Sequence, residues 1–441
     1  MKLVKMSLVA AMVMGASAFA LENVKISGDA KLFYGTNNAD YVDANGNTQS
    51  GLFDQGSSAA DTAVRLGVTG DLLKGISFGV TGMAVSTLGL ENNLVSNTWT
   101  GAHNVVGSDA NDEMWLSEAW IAATMGKTTV KIGRMELDTP LAFSEKWSVA
   151  ANTFDAAVLI NQDIPDTTLV GAWVGKGNGV NVLGANGLGG VADNRQDLDP
   201  VDAGTQALGI DGIMATNATM TTFVDGGAYA AAIVNNSFKP LTAQAWYYNV
   251  VNVADAYWLQ ADIDCSLVKG LKIGAQYADM DPKGILDGIK NSSAYAFKLG
   301  YEGVPNLKVS AAYSQADADG TLKIANVATN NLSGAQSKLY TEAFWNYGYV
   351  GAPDAESMNV TAEYNAGFAK FGAYYTAVSI DNTNAQVVTK ADGTDMTEVA
   401  VTASKSFGPL DATLAYISTD ADDQNAGSRY DSVQAYLTLN F

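Results

Sequence analysis

The last ten residues, Ser432–Phe441, constrain the fold more than any other stretch of the chain. One parity is apolar (Val433, Ala435, Leu437, Leu439 and Phe441) and the other is polar (Ser432, Gln434, Tyr436, Thr438 and Asn440). Because successive side chains of a strand point to opposite faces, this is an amphipathic β-strand. A transmembrane barrel closes its sheet with such a strand, apolar toward lipid and polar toward a watery interior. A half-buried strand of a soluble sandwich has the same pattern, so other segments must distinguish the two.

The first twenty residues have the features of a secretory signal. Lys2 and Lys5 precede an apolar run from Leu8 to Met14, and Ala18-Phe19-Ala20 is a small-residue cleavage site. The apolar run is too short to span a bilayer as a helix. We therefore predict a signal peptide over residues 1–20 and a mature domain over 21–441. Cleavage after Ala18 is an alternative, because Ala16-Ser17-Ala18 also fits.

The charge of the chain narrows its partners. The sequence contains 46 acidic and 25 basic residues, and removal of the signal would leave 23 basic residues and a net charge of −23. Nucleic acid is an improbable partner, because its phosphates would be repelled. The acidity favours cationic partners; equally, it is explained by acidic loops that keep an exported protein soluble.

Few residues are available for catalysis or metal binding. His103 is the only histidine and Cys265 the only cysteine, so no intramolecular disulfide can form. A barrel protease or phospholipase usually needs a histidine base, and only His103 could serve. The sequence therefore predicts that the protein is not an enzyme.

Strand-like alternation recurs along the mature chain, as in Leu271–Tyr277, Tyr295–Tyr301 and Val360–Tyr364. Tight and long connections also alternate. The tight ones are predicted at Leu72–Gly75, Gly126–Thr128, Ile164–Asp166, Lys239–Pro240, Val268–Gly270, Val304–Asn306, Ala366–Gly367 and Gly408–Leu410. This predicts an all-β fold, a transmembrane antiparallel β-barrel of about eighteen strands. Sixteen strands are the alternative, because Ala60–Gly70 and Ala256–Cys265 are weakly marked.

One irregular segment interrupts the strand pattern. The strand Thr129–Glu136 ends in Gly133-Arg134 and is followed by Leu137–Trp147, which has no strand period. A strand ending in Gly-Arg before the third long loop resembles bacterial outer-membrane porins. The wider layout resembles the major outer membrane proteins of epsilonproteobacteria and the related OprD-like channels. This resemblance implies a third loop folded into the pore, a homotrimer, and a multi-pass location in the outer membrane of a Gram-negative bacterium.

If the third loop folds inward, its charged side chains are candidates for the pore constriction: Arg134, Glu136, Asp138, Glu145 and Lys146. The alternating pattern places further cations on the lumen wall, at Arg65, Lys131 and Lys298. Carboxylates in a narrow pore concentrate cations, and facing basic groups create a transverse field. Alternatively, these are ordinary loop charges that pair with one another.

Two acidic clusters raise the question of calcium. Asp317 and Asp319 lie in one cluster, and Asp193–Asp202 forms the other. Clustered carboxylates suit a hard cation, but neither cluster has the full spacing of an EF-hand loop. No cofactor is predicted, and calcium remains a weak candidate.

These features together predict an outer-membrane channel for passive diffusion of small hydrophilic solutes and ions, with a preference for cations. Its partners would be those solutes, the outer-membrane lipid and two further copies of the chain. Phe441 would serve as the assembly signal, since the resemblance includes an aromatic terminal residue. The alternatives are a substrate-specific channel of the OprD type and an acidic surface-layer or adhesive all-β protein.

Overall fold

The fold was analysed in a computed structural model, which describes residues 21–42, 48–49, 51–90, 112–179, 218–222, 224, 226–329, 335–381 and 393–441. The predicted signal peptide, His103 and the cluster Asp193–Asp202 lie outside these residues. No helix in the described ranges is both long and apolar enough to cross a membrane.

The fold consists of eighteen long strands. The first nine are β1 Glu22–Asn37, β2 Ser58–Leu73, β3 Ile76–Ser86, β4 Glu113–Met125, β5 Thr128–Met135, β6 Phe154–Asn161, β7 Thr167–Gly177, β8 Ala228–Asn235 and β9 Leu241–Val250. The second nine are β10 Ala254–Asp264, β11 Leu271–Pro282, β12 Ser292–Val304, β13 Leu307–Ala316, β14 Ala355–Asn365, β15 Lys370–Ile380, β16 Thr394–Phe407, β17 Leu410–Ala421 and β18 Tyr430–Asn440.

Shorter elements lie in the connections between these strands. They are the paired strands Tyr41–Val42 and Thr48–Gln49, the strand Thr221–Thr222, and the 3₁₀ turns Gln55–Ser57, Gly284–Leu286, Tyr347–Tyr349 and Asn425–Gly427.

The sheet closes on itself. Each strand pairs antiparallel with the next one along the chain, and β18 pairs with β1, where Leu439 lies opposite Ala30 and Leu437 opposite Leu32. The predicted antiparallel barrel of eighteen strands is confirmed. The two weakly marked segments form β2 and β10, so the alternative of sixteen strands is wrong. Both segments are weakly marked in the sequence because alanine, and in β2 also glycine, dilutes their alternation.

The connections divide between the two ends of the barrel. The eight predicted tight turns all follow even-numbered strands and so lie at one end. The connections after odd-numbered strands lie at the other end, which we call the long-loop end. Most of them are longer, and the connection after β9, residues 251–253, is a tight turn. We refer to residues 136–153 as the third loop and to residues 317–354 as the seventh loop, from their order at that end.

The two faces of the sheet differ in chemistry. Large apolar side chains project from the exterior, among them Ile132, Phe297, Leu299 and Leu414, each more than half exposed. The interior face carries polar and charged residues such as Asp29, Gln276 and Glu398, together with buried apolar side chains such as Trp258. An apolar exterior around a polar interior is the reverse of a soluble sandwich, and it matches a barrel placed in lipid.

The last residue contributes to closure. Phe441 exchanges two backbone hydrogen bonds with Gly28 of β1, with N···O distances of 2.8 and 3.0 Å. Its ring lies over Gly28, where an added Cβ would come within 2.7 Å of the ring. Phe441 therefore extends β18 on the exterior face and is 59% exposed.

Candidate pore constriction

The interior face of β1–β5, which we call the near wall, carries a linked set of charges. Asp29 and Arg65 are paired across β1 and β2, and Arg65 Nη2 lies 2.7 Å from Asp29 Oδ2. Arg65 Nη1 also lies 3.2 Å from Glu136 Oε1, and Lys146 Nζ lies 2.7 Å from Glu136 Oε2. The strand register thus places Arg65 beside Glu136 and Lys146, which are positioned by the third loop.

Three more charged side chains extend this set. Lys31 lies two residues from Asp29, close enough to Asp29, Arg65 and Glu136 for electrostatic interaction. Glu118 on β4 interacts with Lys131 and Glu136, while Lys131 Nζ lies 4.1 Å from the ring centre of Trp120. Sequence analysis missed Lys31 and Glu118. Lys31 belongs to the polar parity of β1, which was the available signal; a β-bulge in β4 disturbs the parity near Glu118.

The third loop is packed against other parts of the barrel interior. Leu141 and Phe143 are buried, and Leu141 belongs to an apolar cluster with Tyr248 and Trp258. Tyr248 and Trp258 share the interior parity of β9 and β10. The loop therefore has an apolar side that contacts the barrel wall and a charged side that carries Glu136 and Lys146.

Glu145 does not line open space, contrary to its assignment to the constriction. It is 2% exposed, and its carboxylate accepts hydrogen bonds from Asn326 Nδ2 at 3.0 Å, Thr329 Oγ1 at 2.5 Å and Trp147 Nε1 at 2.9 Å. Burial raises the pKa of Glu145, and these donors partly offset the shift. Glu145 is therefore a tie between the third and seventh loops.

The described residues of the seventh loop, 317–329 and 335–354, lie inside the barrel, although the sequence pattern does not single them out. They cross the interior face of β9–β17, which we call the far wall. Tyr340 Oη donates to Asp262 Oδ1 at 2.7 Å, and the amide N–H groups of Trp345 and Asn346 donate to Glu398 at 3.1 and 2.8 Å. Gly274 lies beneath the ring of Tyr340, where an added Cβ would approach the ring to 2.6 Å.

A second group of charges lies where the two loops meet the far wall. Asp138 of the third loop forms an ion pair with Lys338 of the seventh loop. Lys298 Nζ lies 3.9 Å from Asp262 Oδ1 and 4.1 Å from the ring centre of Tyr340. These side chains are partly exposed, and the Asp138 side chain is 79% exposed. Asp138 and Lys298 therefore belong to a different group from Glu136 and Arg65.

Arg134 is not part of either group. On β5 it shares the parity of exterior Ile132, whereas Lys131 and Gly133 face the interior. Its guanidinium pairs with Asp155 of β6, with Nε 2.9 Å from Oδ1, and donates to the carbonyl of Leu116 at 2.9 Å. The assignment of Arg134 to the constriction is therefore wrong, because a one-residue step along a strand reverses the face.

The acidic cluster near the start of the seventh loop shows no assembled cation site. Asp319 forms an ion pair with Lys290 at 2.9 Å, and Asp317 Oδ1 accepts the backbone N–H of Asp319 at 3.0 Å. Within the described ranges, no group of three or more histidine, cysteine, aspartate or glutamate side chains is arranged to hold a metal. Calcium binding stays a prediction.

Comparison with known proteins establishes the fold alone. No protein-family model matches the chain, and no curated protein matches it by sequence. Solved structures of proteins from Pseudomonas aeruginosa do match. OccK8 (OprE) has a TM-score of 0.66 at 15% identity, with 95% of this chain and 98% of that chain covered. OccK9 (OpdG) has a TM-score of 0.69 at 13% identity, with 95% and 99% covered. OpdK, solved with vanillate, has a TM-score of 0.67 at 13% identity, with 95% and 98% covered.

Proposed function

We propose that the chain forms a water-filled channel through the outer membrane of a Gram-negative bacterium, through which small hydrophilic solutes and ions diffuse. The observation that carries this proposal is a closed barrel, apolar outside, that retains partly exposed ion pairs inside. Ion pairs in contact with water have little effect on stability. In a sealed, dry interior the same pairs would carry a large desolvation penalty, so their presence supports a water-filled barrel. The fold shared with the Pseudomonas channels supports the same function.

The third and seventh loops together narrow this channel in our proposal. Support comes from the buried tie at Glu145, which joins the loops, and from Tyr340, which fixes the seventh loop to the far wall. Solutes would then pass along the charged side of the third loop and the near wall, beside the ion pair of Glu136 and Arg65 that joins them. Size exclusion and electrostatics, with no covalent step, would decide what crosses, and no enzymatic activity is proposed.

Cation preference is the finer part of this proposal. The net charge of −21 for the whole chain supports it, as do Glu136 and Asp138. The near wall itself is mixed, because Lys31, Arg65 and Lys131 stand beside the carboxylates. We therefore expect a modest preference that falls with salt, since the Debye length shrinks from about 10 Å at 0.1 M to about 3 Å at 1 M.

A substrate-specific channel of the OprD type is the second candidate. Cations and carboxylates at fixed positions, rather than a uniformly acidic lining, favour it. Vanillate is present in the structure of OpdK, and here it is a suitable probe because Lys31, Arg65 and Lys131 offer positive charge to a carboxylate. Liposome swelling would separate the candidates. Vanillate entering faster than a neutral solute of similar size supports specificity, whereas equal rates support simple diffusion.

Planar-bilayer recording in a salt gradient tests the proposal directly. Purified, heat-modifiable protein should produce stable conductance steps and a reversal potential displaced toward the cation equilibrium potential. Folded protein that inserts without conducting would contradict the channel. Folded protein that is extracted from cells by urea or chelator, without detergent, would favour the surface-layer alternative.

Assembly and export remain proposals that other experiments address. The resemblance to porins supports a homotrimer, cleavage after residue 20 and recognition of Phe441 during assembly. The epsilonproteobacterial subfamily rests on the same resemblance. Mass spectrometry of membrane-extracted protein would report both the mature terminus and the number of copies.

A further inference from the structure

Arg134 begins a charged row on the exterior of the barrel. The strand register places Arg134 of β5 opposite Asp155 of β6, and Asp155 opposite Lys176 of β7. A β-bulge at Gly175 brings Lys176 onto the exterior face, so Lys176 lies level with Asp155. Arg134 and Lys176 are thus separated by two strand spacings, about 10 Å. The row lies near the long-loop end, where β5 and β7 end and β6 begins.

The ion pairing within the row leaves one cation uncommitted. Asp155 binds Arg134 through both carboxylate oxygens, with contacts of 2.9 and 3.3 Å. Lys176 is exposed and forms no ion pair with any residue of the described ranges. The row therefore has one positive charge in excess, centred on Lys176, and the Arg134 guanidinium retains unused N–H donors on the same face.

An apolar row lies immediately beside the charged row. Two residues toward the tight turns, the same strands place Ile121, Ile132, Ala157 and Trp173 side by side. Ile121, Ile132 and Trp173 are each between 41 and 59% exposed. The step between rows is about 7 Å along the strands. A charged row beside a row of exposed apolar side chains that includes Trp173 matches a lipid, whose charged headgroup lies next to its acyl chains.

The opposite side of the barrel has a different exterior rim. From β10 to β18, carboxylates occupy the exterior parity near the long-loop end, namely Asp255, Asp279, Asp281, Glu356, Asp395, Asp420 and Asp431. The cations near them, Lys283 and Arg429, lie 2.7 Å from Asp255 and 3.9 Å from Asp420. Negative lipid headgroups would be repelled there, so the excess of positive charge singles out β5–β7.

We propose that Arg134 and Lys176, above Trp173, bind the phosphate headgroup of a lipid in the outer leaflet. The phosphate accepts hydrogen bonds from Lys176 Nζ and the free edge of the Arg134 guanidinium, and the acyl chains lie along Ile132 and Trp173. This inference rests on the proposed function, because it requires the barrel to sit in a membrane. The inference gives a role to Arg134 at the strand end, which faces away from the pore.

Native mass spectrometry of the detergent-solubilised full-length barrel provides the test. Dipalmitoyl phosphatidic acid, whose headgroup is a phosphate monoester, is titrated against dipalmitoyl phosphatidylcholine. The wild-type protein should bind its first phosphatidic acid more tightly than phosphatidylcholine. The double variant Arg134→Gln/Lys176→Gln should raise the Kd for phosphatidic acid by about fivefold or more, because it removes both cations that face the phosphate.

The control is Lys283→Gln, which removes one charge from the acidic side of the same rim and should leave that Kd unchanged. An equal loss in the control, or no loss in the double variant, overturns the proposal. Inorganic phosphate at millimolar concentration should not displace the lipid; displacement would indicate a site for free phosphate and would overturn the lipid assignment.

Two further measurements keep the test interpretable. Heat-modifiability shows whether the double variant folds, and Lys176→Gln alone serves if it does not, because Lys176 is exposed and unpaired within the described part of the chain. Conductance is recorded on the same preparations. Wild-type conductance without lipid preference defeats this inference alone, whereas folded protein that never conducts defeats the proposed function independently of the lipid data.

Discussion

Polar side chains on the two sides of the barrel interior differ in their exposure. On the near wall, Arg65, Lys31 and Lys131 remain partly exposed beside the third loop. On the far wall, Ser314, Thr376 and Glu398 are at most 1% exposed beneath the seventh loop. Asp262 and Lys298, where the two loops meet this wall, stay partly exposed. Both walls have the same alternating strands, so the strands alone do not determine where water can pass. The loops decide which wall faces the channel.

Removing the seventh loop should have the largest effect on this contrast. Replacing residues 317–354 with a short Gly-Ser connection would uncover the far wall, and single-channel conductance should rise several-fold as the open cross-section grows. Tyr340→Phe is the matched control, because it keeps the ring over Gly274 and loses only the hydrogen bond to Asp262. If the loop deletion conducts like the wild type, the seventh loop does not narrow the pore.

Breaking the tie between the loops should have a smaller, structural effect. Glu145→Ala leaves the buried donors of Asn326, Thr329 and Trp147 without their acceptor, at about 1–3 kcal/mol for each group left unsatisfied. We expect a lower unfolding midpoint in urea, monitored by heat-modifiability, and noisier channels. Glu145→Gln keeps one oxygen acceptor and should lose less stability. Equal stability of wild type and Glu145→Ala would contradict the tie.

The smallest expected effect is a pH dependence of the seventh loop, because it changes one charge and removes no side chain. Burial lowers the pKa of Lys323 to about 8, and Lys323 Nζ donates to the carbonyl of Gly348 at 2.7 Å. In an undocked loop the pKa returns toward its ordinary value of about 10.4. The docked loop therefore binds this proton less tightly, so docking gains stability as the pH rises from about 8 to about 10.4. Docking loses that stability as the pH falls back across the same range, and below about pH 8 the penalty is constant.

Limited proteolysis of the seventh loop would measure this dependence. Cleavage should slow from pH 8 to pH 10 in the wild type, relative to Lys323→Met, which lacks the titrating group. The raised pKa of Glu145 acts in the opposite sense, since its docking contribution is lost as the pH rises, but both proteins retain Glu145. Identical pH profiles in the two proteins would show that Lys323 does not control docking.

Local sequence pattern predicted the fold well because each strand carries its own evidence. Parity identified the exterior and interior faces of β11, β12 and β18, and glycine and proline marked the turns. The candidate site depended on longer-range contacts. Glu145 is buried by residues nearly two hundred positions later in the chain, and no local pattern encodes that pairing.

Arg134 shows a second limit of local reasoning. The strand end Gly133-Arg134 resembles the entry to an inward loop, but the register shows that the strand continues through Arg134, which therefore keeps the exterior parity of Ile132. The sequence does not show whether the strand stops before or after Arg134, and the alternation of faces applies only within the strand. Arg65, Lys131 and Lys298 lie further inside their strands, where the register gives them the interior parity. Their part in the channel stays a prediction.

Cysteine accessibility during channel recording tests the contrast between the two walls most directly. In a Cys265→Ser background the chain has no other cysteine, so Arg65→Cys presents one thiol on the near wall and Thr376→Cys one on the far wall. A negatively charged methanethiosulfonate reagent should change the conductance of open Arg65→Cys channels within the recording and leave Thr376→Cys channels unchanged. Modification of Thr376→Cys alone, with Arg65→Cys unreactive, would place the water path on the far wall and contradict the account.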